Sequence, residues 1–255
     1  MPPLPDPFTL VSREETGSTN DDATEAARRG ASEGTLIWAR RQTKGRGRRG
    51  RTWVSPEGNL HLSIVLRPDV PPMRAGEVAF VAALAAADAC AALAPKAEIR
   101  CKWPNDVLAA GRKVGGLLIE TSIAGNRLEW LVAGIGLNLA AHPEAVEFPA
   151  THLALQAGRP ISVEEGLEAV ATAFAARYRL WQGQGFAPVR SAWLARAAGI
   201  GGAIRVRLDD AELSGTFTGI DGDGALTLTL ADGATRRVTA GDVFFPGVSS
   251  GASAG

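Results

Sequence analysis

Residues 113–139 read KVGGLLIETSIAGNRLEWLVAGIGLNL: two apolar runs interrupted once, near Gly125-Asn126. A Gly-Asn pair between such runs is a hairpin turn, so the stretch predicts a strand, a turn and a returning strand. Around it, helical and strand patterns are mixed without strict alternation. That argues for an α+β domain with a largely antiparallel sheet rather than a doubly wound parallel one.

Working outward, TLIWARRQ (35–42) reads as a strand and NLHLSIVL (59–66) as a half-buried one, with Leu60, Leu62, Ile64 and Leu66 on one face. IRCKW (99–103) alternates too: Ile99, Cys101 and Trp103 on one side, Arg100 and Lys102 on the other. GSTNDDATEAARRG (17–30) predicts a helix whose first amides are capped by Ser18, Thr19 or Asn20 and which ends at Gly30. SVEEGLEAVATAFAARYRLWQG (162–183) predicts an amphipathic helix with capping-box spacing at Ser162 and Glu165. EVAFVAALAAADACAALA (77–94) is apolar enough to raise a membrane span, but its alanines are weakly apolar and Asp88 interrupts it; a buried helix is expected.

From residue 200 the texture changes to short alternating strands punctuated by Asp-Gly pairs at 221–222, 223–224 and 232–233. The expected organisation is a larger α+β unit over 1–199, a small β module over 200–246 and a flexible tail over 247–255. MPPLPDPFTL at the start reads as a Pro-rich tail and lacks the pattern of a signal peptide. With 27 basic and 27 acidic residues the chain is neutral, which disfavours a general polyanion binder. Two cysteines, Cys90 and Cys101, make no disulfide framework or zinc spacing and are expected to be buried thiols in a cytoplasmic protein.

The positive charge is instead concentrated. TKGRGRRGRTW (43–53) carries Lys44, Arg46, Arg48, Arg49 and Arg51 among Gly45, Gly47 and Gly50, with no acid. Glycines free the backbone to turn amides toward an anion, and arginines grip carboxylates or phosphates bidentately; a solvated loop is the plainer reading. KWPNDVL (102–108) sets Asn105 and Asp106 at a strand end, where sheets present polar groups, although an ordinary Asn-Asp turn uses the same residues. Lys113 opens an apolar strand beside Gly115 and Gly116, and Asn138 interrupts another beside Gly134 and Gly136. His61, His142 and His152 show neither metal spacing nor a nucleophile signature.

The order Ser18-Thr19-Asn20, Gln42 with GRGRRGRTW, KWPNDVL, RKVGGLLIE and GIGLNL resembles the biotin protein ligase family over about residues 10–140, and the β module resembles that family's SH3-like C-terminal domain. The resemblance implies a mixed central sheet with helices, akin to the class II aminoacyl-tRNA synthetase core. It implies synthesis of biotinyl-5'-AMP from biotin and ATP, with Mg²⁺, and transfer of biotin to a lysine of a biotin carboxyl carrier domain. Arg48, Lys113 and Asp106 would be catalytic, Asp106 orienting the attacking lysine or accepting its proton. Ser18, Thr19, Asn20, Gln42, Gly45, Arg46, Gly47, Arg48, Lys113 and Gly116 would hold biotin; Arg46, Arg48, Arg51, Trp53, Asn105, Lys113 and Asn138 would hold ATP or the adenylate. With Ser18 so near the start, no DNA-binding winged helix is expected. The alternatives are a lipoate-attaching enzyme of related fold, a nucleic-acid module using the Arg-Gly run, and an inactive, binding-only relative. Whether two copies pair through a sheet edge is left open.

Overall fold

In a computed structural model, residues 4–144 and 146–246 are described. The expectation of a tail over 247–255 falls outside them. The chain runs β1 (Thr9–Thr16), α1 (Thr19–Arg28), β2 (Thr35–Gln42), β3 (Leu60–Leu66), α2 (Glu77–Leu93), β4 (Ile99–Lys102), β5 (Asp106–Ala109), β6 (Arg112–Ala124), β7 (Arg127–Leu137), α3 (Leu153–Ala157), α4 (Val163–Gln184) and α5 (Phe186–Ala195). It continues with β8 (Ala203–Arg207), β9 (Glu212–Ile220), β10 (Leu226–Thr229), β11 (Thr235–Val238) and β12 (Asp242–Phe244).

The hairpin of 113–139 is β6–β7, and it lies inside a seven-stranded sheet ordered β1-β2-β3-β7-β6-β5-β4. Only β1 and β2 pair in parallel, joined through α1 as a parallel pair requires; every other neighbour is antiparallel. The start of the chain is not a tail throughout: Phe8 packs edge-on against Phe174, and β1 follows directly.

One face of the sheet is covered by α2 and α4. Helix α2 is buried nearly all round, as a run of alanines between two layers allows, and is the core helix of the fold. Asp88 within it pairs with Arg177 of α4 and with Arg196 beyond α5, which accounts for a carboxylate in an apolar helix. On α4 the amphipathic face is made by Leu167, Val170, Phe174 and Tyr178, all buried, and Val163, half-buried, with Tyr178 stacked between Phe174 and Trp181.

The other face is covered by α1 over β2, β3 and β7 only, through Ala23, Ala27, Ile37, Val65, Trp130 and Val132. Beyond α1 that face is open, and the cavity described below lies there. Strand β3 was expected to be half-buried. It is wholly buried, because α1 and the 43–56 loop cover the side that carries His61 and Ser63. Lys102, expected on the side of β4 opposite Cys101, is buried too, but against Asp106 and under the Phe148 ring.

The second sheet is antiparallel, ordered β11-β10-β9-β8-β12, with Asp-Gly turns where the sequence places them. It docks beside β4 through Trp103, whose Nε1–H donates to the Gly224 carbonyl at 3.1 Å, and on α5 through Arg190, which donates to the carbonyls of Ile220 and Asp221.

The capping box is complete: the Glu165 amide donates to Ser162 Oγ at 3.1 Å and the Ser162 amide to Glu165 Oε2 at 2.8 Å. Ser162→Ala is expected to cost about 1 kcal/mol, read as a lower urea midpoint at unchanged slope. An unchanged midpoint would mean that packing alone fixes the start of α4.

Candidate active site

The strand registers bring the sequence motifs together. His61 of β3 faces Gly136 of β7, Gly136 faces Gly116 of β6, Gly116 faces Asp106 of β5, and Asp106 faces Lys102 of β4. Residues directly opposite in a sheet share a face, so these five form one row across it. Two residues along, Ser63, Gly134 and Leu118 form the next. The glycines leave the middle of the sheet without side chains, and a cavity of about 260 Å³ opens over them.

Each glycine is required by what lies above it. A Cβ on Gly134 would run into Asn20 Oδ1, and one on Gly136 would come within 2.7 Å of the Trp53 indole. Trp53 thus lies on the glycine floor rather than in solvent, with the Lys113 ammonium 5.4 Å from its ring centre.

At the α1 end the groups are polar and mostly uncharged. The Thr19 amide and hydroxyl both donate to Gln42 Oε1, at 2.7 and 3.1 Å, and Gln42 Nε2–H donates to Ser55 Oγ at 2.9 Å. Ser63 Oγ lies 2.6 Å from Asn20 Oδ1, whose amide donates to Glu120 at 2.7 Å. The predicted cap is therefore different in kind. Ser18 occupies the cap position but makes no capping bond; Gln42, reaching from β2, satisfies the first amide of α1. That frees Ser18 and Thr19 to line the cavity. Gly45 fits close beside Gln42, where a Cβ would press on the Trp53 carbonyl and Ser55.

At the β4–β5 end the groups are cationic. Asp106 sits between Lys113 Nζ at 2.5 Å and Lys102 Nζ at 3.1 Å. Burial alone would raise its pKa, but the two ammonium groups overrule it and hold the carboxyl far below the usual range. Arg48 approaches Asn105 Oδ1 at 3.5 Å, and Asn105 Nδ2–H donates to the Leu117 carbonyl at 2.6 Å. Burial lowers the Arg48 pKa, the mark of a guanidinium partly stripped of water. Lys102 and Lys113 thus share one carboxylate, Asp106, while Arg48 forms no ion pair among the described residues, leaving a surplus of positive charge at this end.

The other loop arginines are already paired. Arg46 contacts Asp21 at 2.5 Å and Glu120 at 3.0 Å, at the α1 end, while Arg51 and Arg49 reach Asp242 of β12, at 2.7 and 3.7 Å. Gly47 lines the cavity in the same loop, its amide donating to the Arg51 carbonyl at 2.7 Å. Asn138 lines the cavity too, but its amide donates to the Thr151 carbonyl at 3.1 Å.

Sequence reasoning passed over Lys102, Glu120, Ser63, Asp242 and His61. Lys102 was legible, since a lysine four residues before Asp106 across a tight turn must face it. Asp242, in the other sheet, gives no such signal. His142 and His152 hydrogen-bond each other, Nδ1 to Nδ1 at 2.8 Å, outside the cavity. His61 lines the cavity, 1% exposed; its Nε2 contacts the Pro56 carbonyl at 3.4 Å and its Nδ1 has no partner. Among the described residues no group of three or more His, Cys, Asp or Glu is placed to hold a metal ion.

A hydrogen-bonding end, a bare floor and a cationic end suit an elongated small molecule with a polar head and an anionic tail. The comparisons with known proteins agree in kind. Residues 15–138 match the Biotin/lipoate A/B protein ligase family and residues 199–245 the Biotin protein ligase C terminal domain. The chain is 45% identical over 242 residues to the biotin–[acetyl-CoA-carboxylase] ligase of Paracoccus denitrificans, covering 91% of this chain and 98% of that one. It is 34% identical over 241 residues to the bifunctional ligase/repressor BirA of Bacillus subtilis, covering 92% and 73%. A solved structure, the biotin protein ligase from Aquifex aeolicus in complex with biotin and ATP, matches with a TM-score of 0.78 at 26% identity over 92% of this chain and 97% of that one. The chain is a ligase, and it belongs to the biotin protein ligase family.

Asp106→Asn would leave the buried Lys102 ammonium and the half-buried Lys113 ammonium sharing no carboxylate. It is expected to cost about 3 kcal/mol, more than Lys102→Met does, as measured by urea unfolding of both. His61 predicts a pH dependence. Burial pushes its imidazole down to about 4, against about 6.5 when unfolded, so the folded state binds the proton less well. The associated stability is present above pH 6.5 and is lost as pH falls toward 4, by about 3 kcal/mol in all. Unfolding free energies at pH 7 and pH 5 should differ by about 2 kcal/mol less in His61→Phe than in the native chain; equal slopes would refute the assignment.

Proposed function

We propose that the protein is a cytoplasmic biotin–protein ligase that joins biotin and ATP into biotinyl-5'-AMP and then transfers the biotinyl group to a lysine of a biotin carboxyl carrier domain. The observation that carries this reading is the surplus charge at Arg48, Lys102 and Lys113, facing a hydrogen-bonding cluster at Thr19, Gln42 and Asn20 across a glycine floor. A carboxylate and a triphosphate repel each other, and fixed cations offset that repulsion while stabilising the charge that builds on phosphorus.

In the first step a biotin carboxylate oxygen attacks the α-phosphorus, and pyrophosphate leaves. Arg48 and Lys113 bridge the two anions, Gly47 of the loop borders the same junction, Gly45 serves biotin at the other end by its close fit beside Gln42, and Gly116 lets the chain of biotin lie on the backbone. Ser18, Thr19, Asn20 and Gln42 pair the polar ureido ring, as a buried polar ring requires. Arg46 and Arg51 serve the nucleotide side after exchanging their present acidic partners, and Trp53, Asn105 and Asn138 border it. The loop over the cavity keeps water from the mixed anhydride. In the second step the carrier amine attacks the acyl carbon, and AMP leaves. A carboxylate held so strongly ionised is a poor proton acceptor, which supports Asp106 as the group that orients the amine.

Mg²⁺ supplies charge neutralisation on the phosphates when bound. The rim carboxylates Asp242 and Glu147 are tied to Arg51 and Arg207, so the ion is read as arriving with phosphate oxygens as its main ligands. The core is read as class II synthetase-like over 1–199 and the second sheet as an SH3-like barrel over 200–246, in keeping with the mixed sheet and the strand order. A repressor role is not proposed.

ATP–pyrophosphate exchange tests the first step. Exchange should require biotin, should not be supported by lipoate, and should fall at least a hundredfold in Lys113→Ala and in Arg48→Ala, on the scale of a lost transition-state contact (roughly 3 kcal/mol). Absence of biotin-dependent exchange in the folded protein with Mg²⁺ present would overturn the reading.

A further inference from the structure

In the ligase reading the first step leaves a mixed anhydride in the cavity, and the cavity already holds an amine. Lys113 lines it beside the floor: a Cβ on Gly116 would lie 3.5 Å from Lys113 Nζ. The Lys113 backbone is fixed as well, its amide donating to the Pro149 carbonyl at 2.8 Å and its carbonyl accepting from the Thr151 amide at 2.9 Å. A neutral lysine at this place would attack the acyl carbon. The C–N bond would form, the C–O bond to the phosphate would break, AMP would leave with the electron pair, and the amine proton would pass to solvent. An aligned internal amine has an effective concentration of about 10⁵ M or more, far above that of any carrier protein. Selecting the carrier's lysine therefore requires that the internal one be held inactive.

The carboxylate of Asp106 is placed to do this. Its Oδ1 lies 2.5 Å from Lys113 Nζ and its Oδ2 3.1 Å from Lys102 Nζ, so each lysine has an oxygen to itself. In the sheet register Asp106 stands between Lys102 of β4 and Gly116 of β6, which fixes the carboxylate from both sides. Lys102 is buried under Phe148, its ammonium 4.5 Å from the ring centre, and so keeps Oδ1 turned toward Lys113. A nitrogen whose protons are shared with a buried carboxylate has no lone pair to offer.

The placing of the acid is selective. A carboxylate in a site for anions opposes the binding of both biotin and ATP, so its reason lies in the transfer step rather than in substrate binding. Three cations stand at this end, and two of them are amines. Arg48, a guanidinium that stays charged in proteins and is no nucleophile, forms no ion pair among the described residues. The two lysines, which become nucleophiles on losing a proton, are the ones that receive the acid.

We propose that Asp106, aimed by Lys102, is a specificity-determining residue of the transfer step: it keeps Lys113 an ammonium ion, so that the neutral amine meeting the anhydride is the carrier's and not the chain's own. The inference rests on the ligase reading and deepens it. Orienting the incoming amine is compatible with this role, because each carboxylate oxygen has a second lone pair.

The test supplies preformed biotinyl-5'-AMP to the full chain without carrier or ATP, which bypasses the first step, and maps the biotinylated lysines by mass spectrometry of peptides. Exposed Lys44 and Lys96 report acylation from solution and should react alike in every variant. In the native chain Lys113 should stay unmodified. In Asp106→Asn it should acquire biotin roughly tenfold faster or more, the factor by which an adjacent opposite charge moves a proton equilibrium. That rate should climb with pH, as attack by a neutral amine requires. Lys102→Met combined with Asp106→Asn removes one cation along with the acid and keeps the net charge of the cluster. It covers the case in which the single variant does not fold, and its Lys113 should react likewise. Lys113 unmodified in both variants, or modified as fast in the native chain, overturns the inference while leaving the ligase reading intact. Absence of biotin-dependent ATP–pyrophosphate exchange in the native chain would instead overturn the ligase reading itself.

Discussion

Gly116, Gly134 and Gly136 leave a bare patch of backbone in the two central strands of a seven-stranded sheet. The centre of a sheet is where side chains are best ordered, because neighbours on both sides fix the register. Omitting them there gives up packing but yields a rigid, flat floor whose surroundings are fixed to within a side-chain rotamer. Helix α1 stops short of the floor, and Asn20 fits only because Gly134 has no Cβ. The alternating register then delivers the working groups to opposite ends of one row: His61 on β3, Asp106 and Lys102 on β5 and β4. At about 4.8 Å per strand, that row of five residues spans four strand spacings, enough for an elongated small molecule lying along it.

Charge along this row is graded, and the gradient follows from pairing rather than from composition. The loop 43–53 looks uniformly basic as a sequence. In the fold, Arg46 is neutralised by Asp21 and Glu120, and Arg49 and Arg51 by acids of the second sheet. Arg48 is left without a carboxylate partner and faces the two lysines around Asp106. Burial strengthens the Lys102–Asp106 pair, because water no longer screens it, whereas the pairs of Arg46, Arg49 and Arg51 stay largely exposed. Of five cations in the loop three are paired and Lys44 is exposed outside the cavity, so the loop offers the cavity one, Arg48, at the end where Lys102 and Lys113 already share a single acid.

Much of this was legible. The hairpin at Gly125-Asn126, the capped helix at Ser162, the buried Ala-rich helix and the Asp-Gly turns of the second sheet all follow from local chemistry. Ser18, Thr19, Asn20, Gln42, Arg48, Asn105, Asp106, Lys113 and Asn138 were named from the sequence and line one cavity. What escaped were properties that arise only between elements. That Gln42 rather than Ser18 caps α1 depends on where β2 ends relative to a helix 23 residues earlier. That β3 is buried on both faces depends on a loop folding back over it, since alternation of polar and apolar residues cannot tell solvent from a hydrogen-bonded interior. His61 shows no metal or nucleophile pattern in the sequence, and only the fold encloses it beside the glycine floor with no partner for its Nδ1.

The second sheet acquires a role from the same accounting. Asp242 of β12 is its one acid that lines the cavity, and it holds Arg51 and Arg49 of the loop as well as Arg207 of its own sheet. Arg207 in turn grips Glu147, in the segment that runs alongside Lys113 and supplies Phe148 over the Lys102 ammonium at 4.5 Å. One carboxylate thereby ties together the loop, the second sheet and, through Arg207, the wall behind both lysines. Exposed pairs of this kind are individually weak, but they share partners, so releasing one loosens the others. A loop that must admit substrates and then exclude water needs contacts strong enough together to close it and weak enough singly to let go, and a network anchored on a separate sheet supplies both.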